Sequence, residues 1–100
     1  MIRFRDFISG DYYYHGTTPA NADRITSSGF DPSKSKYGGK LFLTRSHSEA
    51  SKYGKIANGG KLGVVLRVHK KHLDPEHTKD GDTGIIQYGH KIEKDHISRI

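Results

Sequence analysis

Four short apolar runs, each bounded by glycine, proline or charged residues, limit what this chain can fold into. They are Tyr12-Tyr13-Tyr14-His15, Leu41-Phe42-Leu43-Thr44, residues 62–68, and Ile85-Ile86-Gln87-Tyr88. Runs of this length between turn-forming residues predict buried β-strands. Residues 62–68 give the strongest strand prediction, because they are rich in β-branched side chains.

Two helices are predicted between these strands. Thr18 can cap a helix that begins at Pro19, where the missing N–H of proline costs nothing, and Gly29 is suited to end it. Ser46 followed three residues later by Glu49 forms a capping box, which predicts the start of a second helix. Residues 31–40 and 70–84 are polar and contain glycine and proline, so we expect them to be loops.

The resulting fold class is α+β. A chain of 100 residues with 32% hydrophobic residues and 12 glycines can bury one modest core, so we predict a single domain over residues 1–100. Residues 91–100 contain isolated isoleucines in a charged background. They are compatible with a strand followed by a turn or with a short helix, and the pattern does not separate the two.

Composition excludes several classes of protein. The chain has no cysteine, so it has neither a disulfide framework nor a thiolate metal site. It has no apolar stretch near the ~20 residues that a membrane helix needs, and its first residues do not form a secretory signal. We therefore expect a soluble, cytoplasmic protein. The net charge of +6 fits nucleic acid, an anionic ligand or a solvated basic surface equally well.

The segment Tyr14-His15-Gly16-Thr17 is the first candidate for chemistry. A glycine after a strand lets a ligand approach the backbone, because no Cβ stands in the way. The flanking His15 and Thr17 offer side-chain hydrogen bonds that suit a carboxamide or a pair of ribose hydroxyls. Taken alone, such a cluster is more often structural than functional.

Further features follow this segment in a fixed order: a helix closed by Gly29-Phe30, the strand Gly39-Lys40-Leu41-Phe42-Leu43-Thr44, and a helix bearing Ala50 and Tyr53. In this order the chain resembles the ADP-ribosyltransferase superfamily, in its diphtheria-toxin-like and poly(ADP-ribose) polymerase branch. The resemblance implies a split β-sheet and NAD as co-substrate, with no metal. It also implies release of nicotinamide and transfer of ADP-ribose to an acceptor macromolecule, protein or nucleic acid.

The resemblance also implies roles for individual residues. His15 would bind the adenosine ribose, Gly16 would hold the carboxamide through its backbone, and Thr17 would belong to the same NAD-binding segment. Phe42 and Tyr53 would pack on opposite sides of the nicotinamide, whose flat cationic ring suits aromatic faces. Ser51 is assigned to the carboxamide less directly. Ser51 lies one residue out of register with a serine that often meets the carboxamide in the family.

Gln87 occupies the place of the catalytic residue in the third motif, with Glu93 as its rival. His15 and Tyr53 would complete the catalytic set. A carboxylate there would stabilise the cationic ribose, whereas a glutamine orients it without supplying charge, which predicts slow or specialised transfer. With Gln87 as the anchor, Ile85 stands where arginine-specific transferases have a second glutamate, so arginine is disfavoured as the acceptor.

Four alternatives remain open from the sequence. A pure nucleic-acid binder is possible from the charge alone, although no known nucleic-acid motif appears. The fold could serve as a non-catalytic module that binds NAD, ADP-ribose or a partner. An RNA 2′-phosphotransferase shares the His-Gly-Thr strand, and Arg45, Arg67 and His69 could then hold a phosphate. A metal site would have to come from histidines that show no ligand spacing, and scattered surface histidines explain them better; they are His69, His72, His77, His90 and His96. The small basic chain would also suit an effector that acts in a host cytosol.

Overall fold

The computed structural model describes residues 11–34, 39–80 and 84–100. These residues form a six-stranded sheet in which every neighbouring pair is antiparallel. The strands are β1 (Tyr12–Thr17), β2 (Leu41–Thr44), β3 (Val64–His69), β4 (Thr78–Asp80), β5 (Ile85–Tyr88) and β6 (Ile97–Arg99). Their order across the sheet is β4-β5-β2-β1-β3-β6. The predicted α+β class is confirmed.

Helix α1 (Pro19–Ser28) begins and ends where the sequence predicts. The Thr18 hydroxyl accepts a hydrogen bond of 3.2 Å from the backbone N–H of Asn21, which satisfies one of the free donors of the first turn. At the other end, Gly29 has a φ of +81° and donates its backbone N–H to the Ile25 carbonyl at 2.7 Å. Both ends of the helix are therefore determined by residues adjacent to it.

Helix α2 (His47–Ala57) is also capped as predicted. The Ser46 hydroxyl accepts a hydrogen bond of 3.0 Å from the backbone N–H of Glu49. The acidic side chain of Glu49 lies in the first turn, where it favourably faces the positive end of the helix dipole.

The strand register assigns each side chain to one of two faces, because side chains alternate along a strand. One face packs against α1 and holds the core. Its larger group of buried residues is Phe30, Leu41, Leu43, Val68, Leu73, Ile86, Tyr88 and Ile92. A smaller group, Ala22, Ile25 and Leu66, lies directly under α1. Ile97 of β6 packs against both groups and so joins them.

The opposite face of the sheet is covered in part by α2. The helix lies so close to β1 that a Cβ added to Gly16 would stand 1.7 Å from the carbonyl oxygen of Ala50 and 2.6 Å from the backbone nitrogen of Gly54. Glycine is required at position 16 because helix backbone occupies the space of a side chain. A ligand could therefore reach the backbone of Gly16 only from a direction other than that of the missing Cβ.

The strand predicted over residues 62–68 is shifted towards the C-terminus. It begins at Val64, which pairs with Thr17, because β1 ends at Thr17 and offers no earlier partner. Leu62 lies before the strand and is 79% exposed. The apolar character of Leu62 extended the sequence prediction by two residues that have nothing to pair with.

The polar segment 70–84 contains a strand that its composition does not predict. Strand β4 pairs with β5 and is the outermost strand on its side of the sheet. Two of its three residues are exposed, which explains the absence of an apolar pattern. Short 3₁₀ turns over Lys70–His72 and Pro75–His77 precede it, whereas residues 81–83 lie outside the described part of the chain.

The sequence left residues 91–100 open between a strand followed by a turn and a short helix. In the structure a short turn comes first and the strand follows it. Ile92 forms an isolated bridge with Phe30, a 3₁₀ turn follows over Lys94–His96, and β6 then pairs with β3.

Candidate functional site

The sheet opens between β1 and β2. Strand β1 pairs with β3 along all of its residues, from Tyr12 to Thr17, but it pairs with β2 at a single position, Tyr14 opposite Thr44. Beyond Tyr14 the edge of β1 that faces β2 is not part of a ladder. His15, Gly16 and Thr17 therefore border an opening in the sheet.

His15 spans this opening with its side chain. Its Nδ1 lies 2.7 Å from the backbone carbonyl oxygen of Phe42. A carbonyl can only accept a hydrogen bond, so Nδ1 carries the proton. Burial lowers the pKa of His15 and the bond to Phe42 raises it in part, with burial the larger effect. The ring is therefore neutral at pH 7, and its Nε2 has a lone pair available to accept a hydrogen bond.

A cleft of about 430 Å³ extends from the opening to α1. Its lining includes four of the six residues that the sequence predicts to bind NAD, namely His15, Gly16, Thr17 and Phe42. The other two, Ser51 and Tyr53, and the predicted catalytic residue Gln87 are not part of the lining. The lining also includes four basic residues that the analysis missed, Arg24, Lys34, Lys40 and Lys91, against one acidic residue, Asp31. These cations come from separate parts of the chain, so no local pattern could have identified them. Together they favour an anionic ligand.

Phe42 and Gln87 are direct neighbours on β2 and β5. Opposite residues in an antiparallel pair point to the same face, so both side chains lie on the α2 side of the sheet. Phe42 is 37% exposed, which makes its ring accessible there. The structure thus brings the predicted second-motif aromatic residue and the predicted catalytic residue together. Gln87 is the third of the four residues of β5.

Tyr53 lies on α2 with 44% of its surface exposed. It is four residues from Ala57, so the two share one flank of the helix, and Ala57 lines the cleft. Ser51 lies two residues before Tyr53, about 200° around the helix axis, and is not part of the cleft lining. Tyr53 is not part of the cleft lining either, but it shares its flank of α2 with Ala57, whereas Ser51 points to the other flank.

The predicted site residues divide between the two faces of the sheet. His15 stands opposite the core residue Leu66, so its ring lies on the α1 side. Thr17 shares this side and is buried. Phe42, Gln87 and Tyr53 lie on the α2 side. A ligand that contacts both groups has to pass through the opening between β1 and β2.

Glu93, the rival of Gln87, is exposed and precedes the 3₁₀ turn Lys94–His96. Its backbone lies next to Gly29 at the end of α1 and is not part of β5. The described contacts therefore place Gln87, and not Glu93, beside Phe42.

The three residues considered for an RNA phosphate do not converge. Arg45 forms an ion pair with Asp80 of β4. Arg67 lies over the ring of Tyr12, 4.5 Å from its centroid, and the edge of His69 meets the same ring at 4.9 Å. Arg67 and His69 thus both contact Tyr12 of β1, whereas Arg45 is paired with a residue of β4 at the other end of the strand order.

The histidines are less scattered than the sequence analysis expects. The rings of His72 and His96 stack in parallel with centroids 3.8 Å apart, and His69 lies 6.3 Å from His72. His77 and His90 form a second stacked pair at 4.4 Å. Within the described ranges, no group of three or more His, Cys, Asp or Glu side chains has the geometry to hold a metal ion.

No helix in the described part of the chain is both long and apolar enough to cross a membrane. In comparisons with known proteins, no protein-family model and no curated protein matches the chain. The interpretation of the site therefore depends on its own residues and on the order of the motifs.

Proposed function

We propose that this protein binds NAD through the cleft and the opening between β1 and β2, and transfers ADP-ribose to an acceptor macromolecule with release of nicotinamide. The observation that carries the proposal is the hydrogen bond of His15 to the Phe42 carbonyl across the opening. It joins the His-Gly-Thr segment to the strand of the second motif. On the split-sheet arrangement expected of an ADP-ribosyltransferase, these two segments border the NAD site.

The residues present suit the chemical groups of NAD. Arg24, Lys34 and Lys91 line the cleft with positive charge, which matches a pyrophosphate. The Nε2 lone pair of His15 can accept a hydrogen bond from a ribose hydroxyl. The exposed rings of Phe42 and Tyr53 on the α2 side offer aromatic faces to the cationic nicotinamide. The two groups of side chains thus match the two ends of the dinucleotide.

In the proposed reaction the N-glycosidic bond of NAD breaks, and nicotinamide leaves the ribose carbon with the electron pair of that bond. The acceptor forms a new bond to the same carbon and gives up a proton to solvent. Gln87 can orient a hydroxyl of this ribose through its amide, since it lies beside Phe42. Because an amide carries no charge, it stabilises the developing cation less than a carboxylate would. We therefore expect slow turnover.

The test is release of nicotinamide from NAD, followed by chromatography, together with NAD binding by calorimetry. The wild type is expected to release nicotinamide, and His15→Ala and Tyr53→Ala are expected to lose at least about tenfold in rate. Ile56→Ala is the matched control, because Ile56 is an apolar residue on the same helix, 73% exposed, to which no contact with NAD is assigned. Binding without release would identify a non-catalytic module. If the wild type neither binds NAD nor releases nicotinamide, the proposal is refuted.

Gln87→Glu tests the assignment of the third motif. A carboxylate at this position adds negative charge beside the ribose cation, so kcat for nicotinamide release should rise by roughly tenfold to a hundredfold, the scale of one electrostatic contact in an active site. Lys79 stands opposite Gln87 on β4, and the new carboxylate is expected to remain ionised next to it. The matched variant Glu93→Gln should leave kcat unchanged. A large loss in Glu93→Gln with no change in Gln87→Glu would reverse the assignment.

A further inference from the structure

A cluster of basic and imidazole side chains lies outside the cleft, at the edge of the sheet where β1 begins, β3 ends and β6 begins. Its members come from β3, from the 3₁₀ turn that follows β3, and from the turn before β6. They are Arg67, His69, Lys70, Lys71, His72 and His96. We refer to these six residues as the basic cluster.

The members of the basic cluster contact each other and the rings beneath them. Arg67 lies over Tyr12 on one side of the sheet, and the Nζ of Lys70 lies 4.7 Å from the ring centroid of Tyr13 on the other. His72 stacks on His96, which ties the end of β3 to the start of β6. The cluster therefore forms a ridge around the sheet edge rather than a closed pocket.

No carboxylate in the described residues forms an ion pair with any member of the basic cluster. The three ion pairs found there involve Arg45, His77 and Arg99. The buried Nε of Arg67 has no hydrogen-bond partner. Arg67, Lys70 and Lys71 are cations at the same end of the sheet that form no ion pair with a described residue, so an anion bound along the ridge would reduce their mutual repulsion.

The chemistry of the ridge favours one class of polyanion. Flat imidazole rings stack on nucleobases, and arginine and lysine beside them contact phosphates. Acidic side chains of a peptide would use the charges but have no ring to stack on the imidazoles, whereas each nucleotide carries both a phosphate and a base. We propose that the basic cluster is a binding surface for single-stranded nucleic acid, held through its phosphates and through stacking on the imidazoles. This inference goes beyond the proposed transfer reaction and does not depend on NAD.

The imidazoles give the proposed binding a pH dependence with a defined sign. Burial lowers the pKa of His72, and the neighbouring His96, Lys71 and His69 lower it further. Phosphates on the ridge would favour the protonated ring. Binding would then take up protons, and the affinity should rise as the pH falls from 7.5 to 5.5.

The test measures fluorescence anisotropy of labelled 12-nucleotide single strands of DNA and RNA, and of the DNA duplex, without NAD. Lys70→Gln/Lys71→Gln removes two charges from the basic cluster. Each lost phosphate contact makes the slope of log K against log salt shallower by about 0.7 for a single strand, so the slope should change by about 1.4. At 0.1 M salt this corresponds to a loss of about 25-fold in affinity.

Lys52→Gln/Lys55→Gln is the matched control, since it removes the same charge from exposed positions on α2. It is expected to lose less than about threefold. A second variant, His72→Gln/His96→Gln, should flatten the pH dependence while it keeps both lysines. Circular dichroism and the Tm verify that each variant is folded.

Several outcomes would overturn the inference. One is the absence of binding to any single strand, and another is an equal loss of affinity in the two lysine variants. Duplex binding as tight as single-strand binding would exclude the stacking contribution. Polyglutamate is a further competitor. If it displaces the labelled oligonucleotide as effectively as the unlabelled oligonucleotide does, the ridge binds polyanions without selectivity.

Discussion

His15 shows how much of the candidate site depends on one side chain. Its ring lies on the α1 side of the sheet, while the carbonyl that it bonds belongs to Phe42 of the next strand. This single contact determines the tautomer, orients the ring across the opening and leaves Nε2 available. Because burial is the dominant influence on its pKa, the ring resists protonation in the folded state.

This burial makes the stability of the protein depend on pH. The folded-state pKa of His15 lies below its unfolded value of about 6.5, so the unfolded state binds more protons in acid. The stabilisation is complete above about pH 6.5 and is lost as the pH falls through the folded-state pKa. Stability should therefore decrease from pH 7.5 to pH 5, and the lowered pKa of His72 acts in the same direction.

His15→Asn isolates this contribution. The amide can still donate a hydrogen bond towards the Phe42 carbonyl but does not titrate, so the Tm of the variant should depend less on pH than that of the wild type. Thermal unfolding followed by circular dichroism at several pH values measures the difference, and an NMR titration of the His15 ring gives its pKa directly. Identical pH profiles in the two proteins would contradict this role of His15.

At the scale of elements, the contact of α2 with β1 positions the site. The helix approaches β1 over Gly16, and its flank with Tyr53 and Ala57 is thereby directed to the cleft side. Glycine on both sides of the contact allows this approach. A Cβ added to Gly54 of the helix would lie 3.4 Å from the Cα of Gly16. A side chain at position 16 would collide with the backbone of α2 and displace the helix from β1.

Gly16→Ala should therefore be strongly destabilising. The new methyl group would meet the backbone of Ala50 and Gly54, which cannot move aside without displacing α2. We expect a loss of at least about 2 kcal/mol in the free energy of unfolding, measured by urea denaturation. Gly89→Ala is the matched control, because the nearest atom to its new Cβ is the flexible end of Lys40 at 3.1 Å. Equal effects of the two changes would disprove the close-packing argument.

At the scale of the whole molecule, the C-terminal segment closes the core. Ile92 and Phe30 exchange two backbone hydrogen bonds, of 2.9 and 3.0 Å, which join this segment to the end of α1. The side chain of Ile92 is buried in the larger core group, and Ile97 then bridges the two groups. The segment that follows α1 and the C-terminal segment, distant in sequence, thus depend on each other for burial.

Ile92→Ala should accordingly destabilise the whole domain. Removal of a buried isoleucine side chain leaves a cavity and costs about 2–5 kcal/mol in the free energy of unfolding. The same change at the 73% exposed Ile56 should cost no more than about 0.5 kcal/mol. Urea denaturation of both variants measures the contrast. A small effect at Ile92 would mean that the C-terminal segment is not part of the cooperative core.

The sequence alone determined what short-range interactions control. The caps at Thr18 and Ser46, the stop at Gly29 and the centres of β1, β2, β3 and β5 follow from residues adjacent to each element. The order of residues along the chain also singled out His15, Gly16 and Phe42, and the structure places all three in the lining of one cleft. Strand β4 and the tail were not predicted, since exposed edge segments have little apolar pattern to detect.

Only the tertiary structure decided what depends on pairing between distant residues. The strand register placed His15 and Phe42 on opposite faces and brought Gln87 beside Phe42. Tertiary packing also gathered the cations of the cleft from separate segments and brought His96 against His72, which lies 24 residues earlier in the chain. A shift of one residue in register moves every side chain of a strand to the other face, so the chemistry of this site is a property of the assembled sheet.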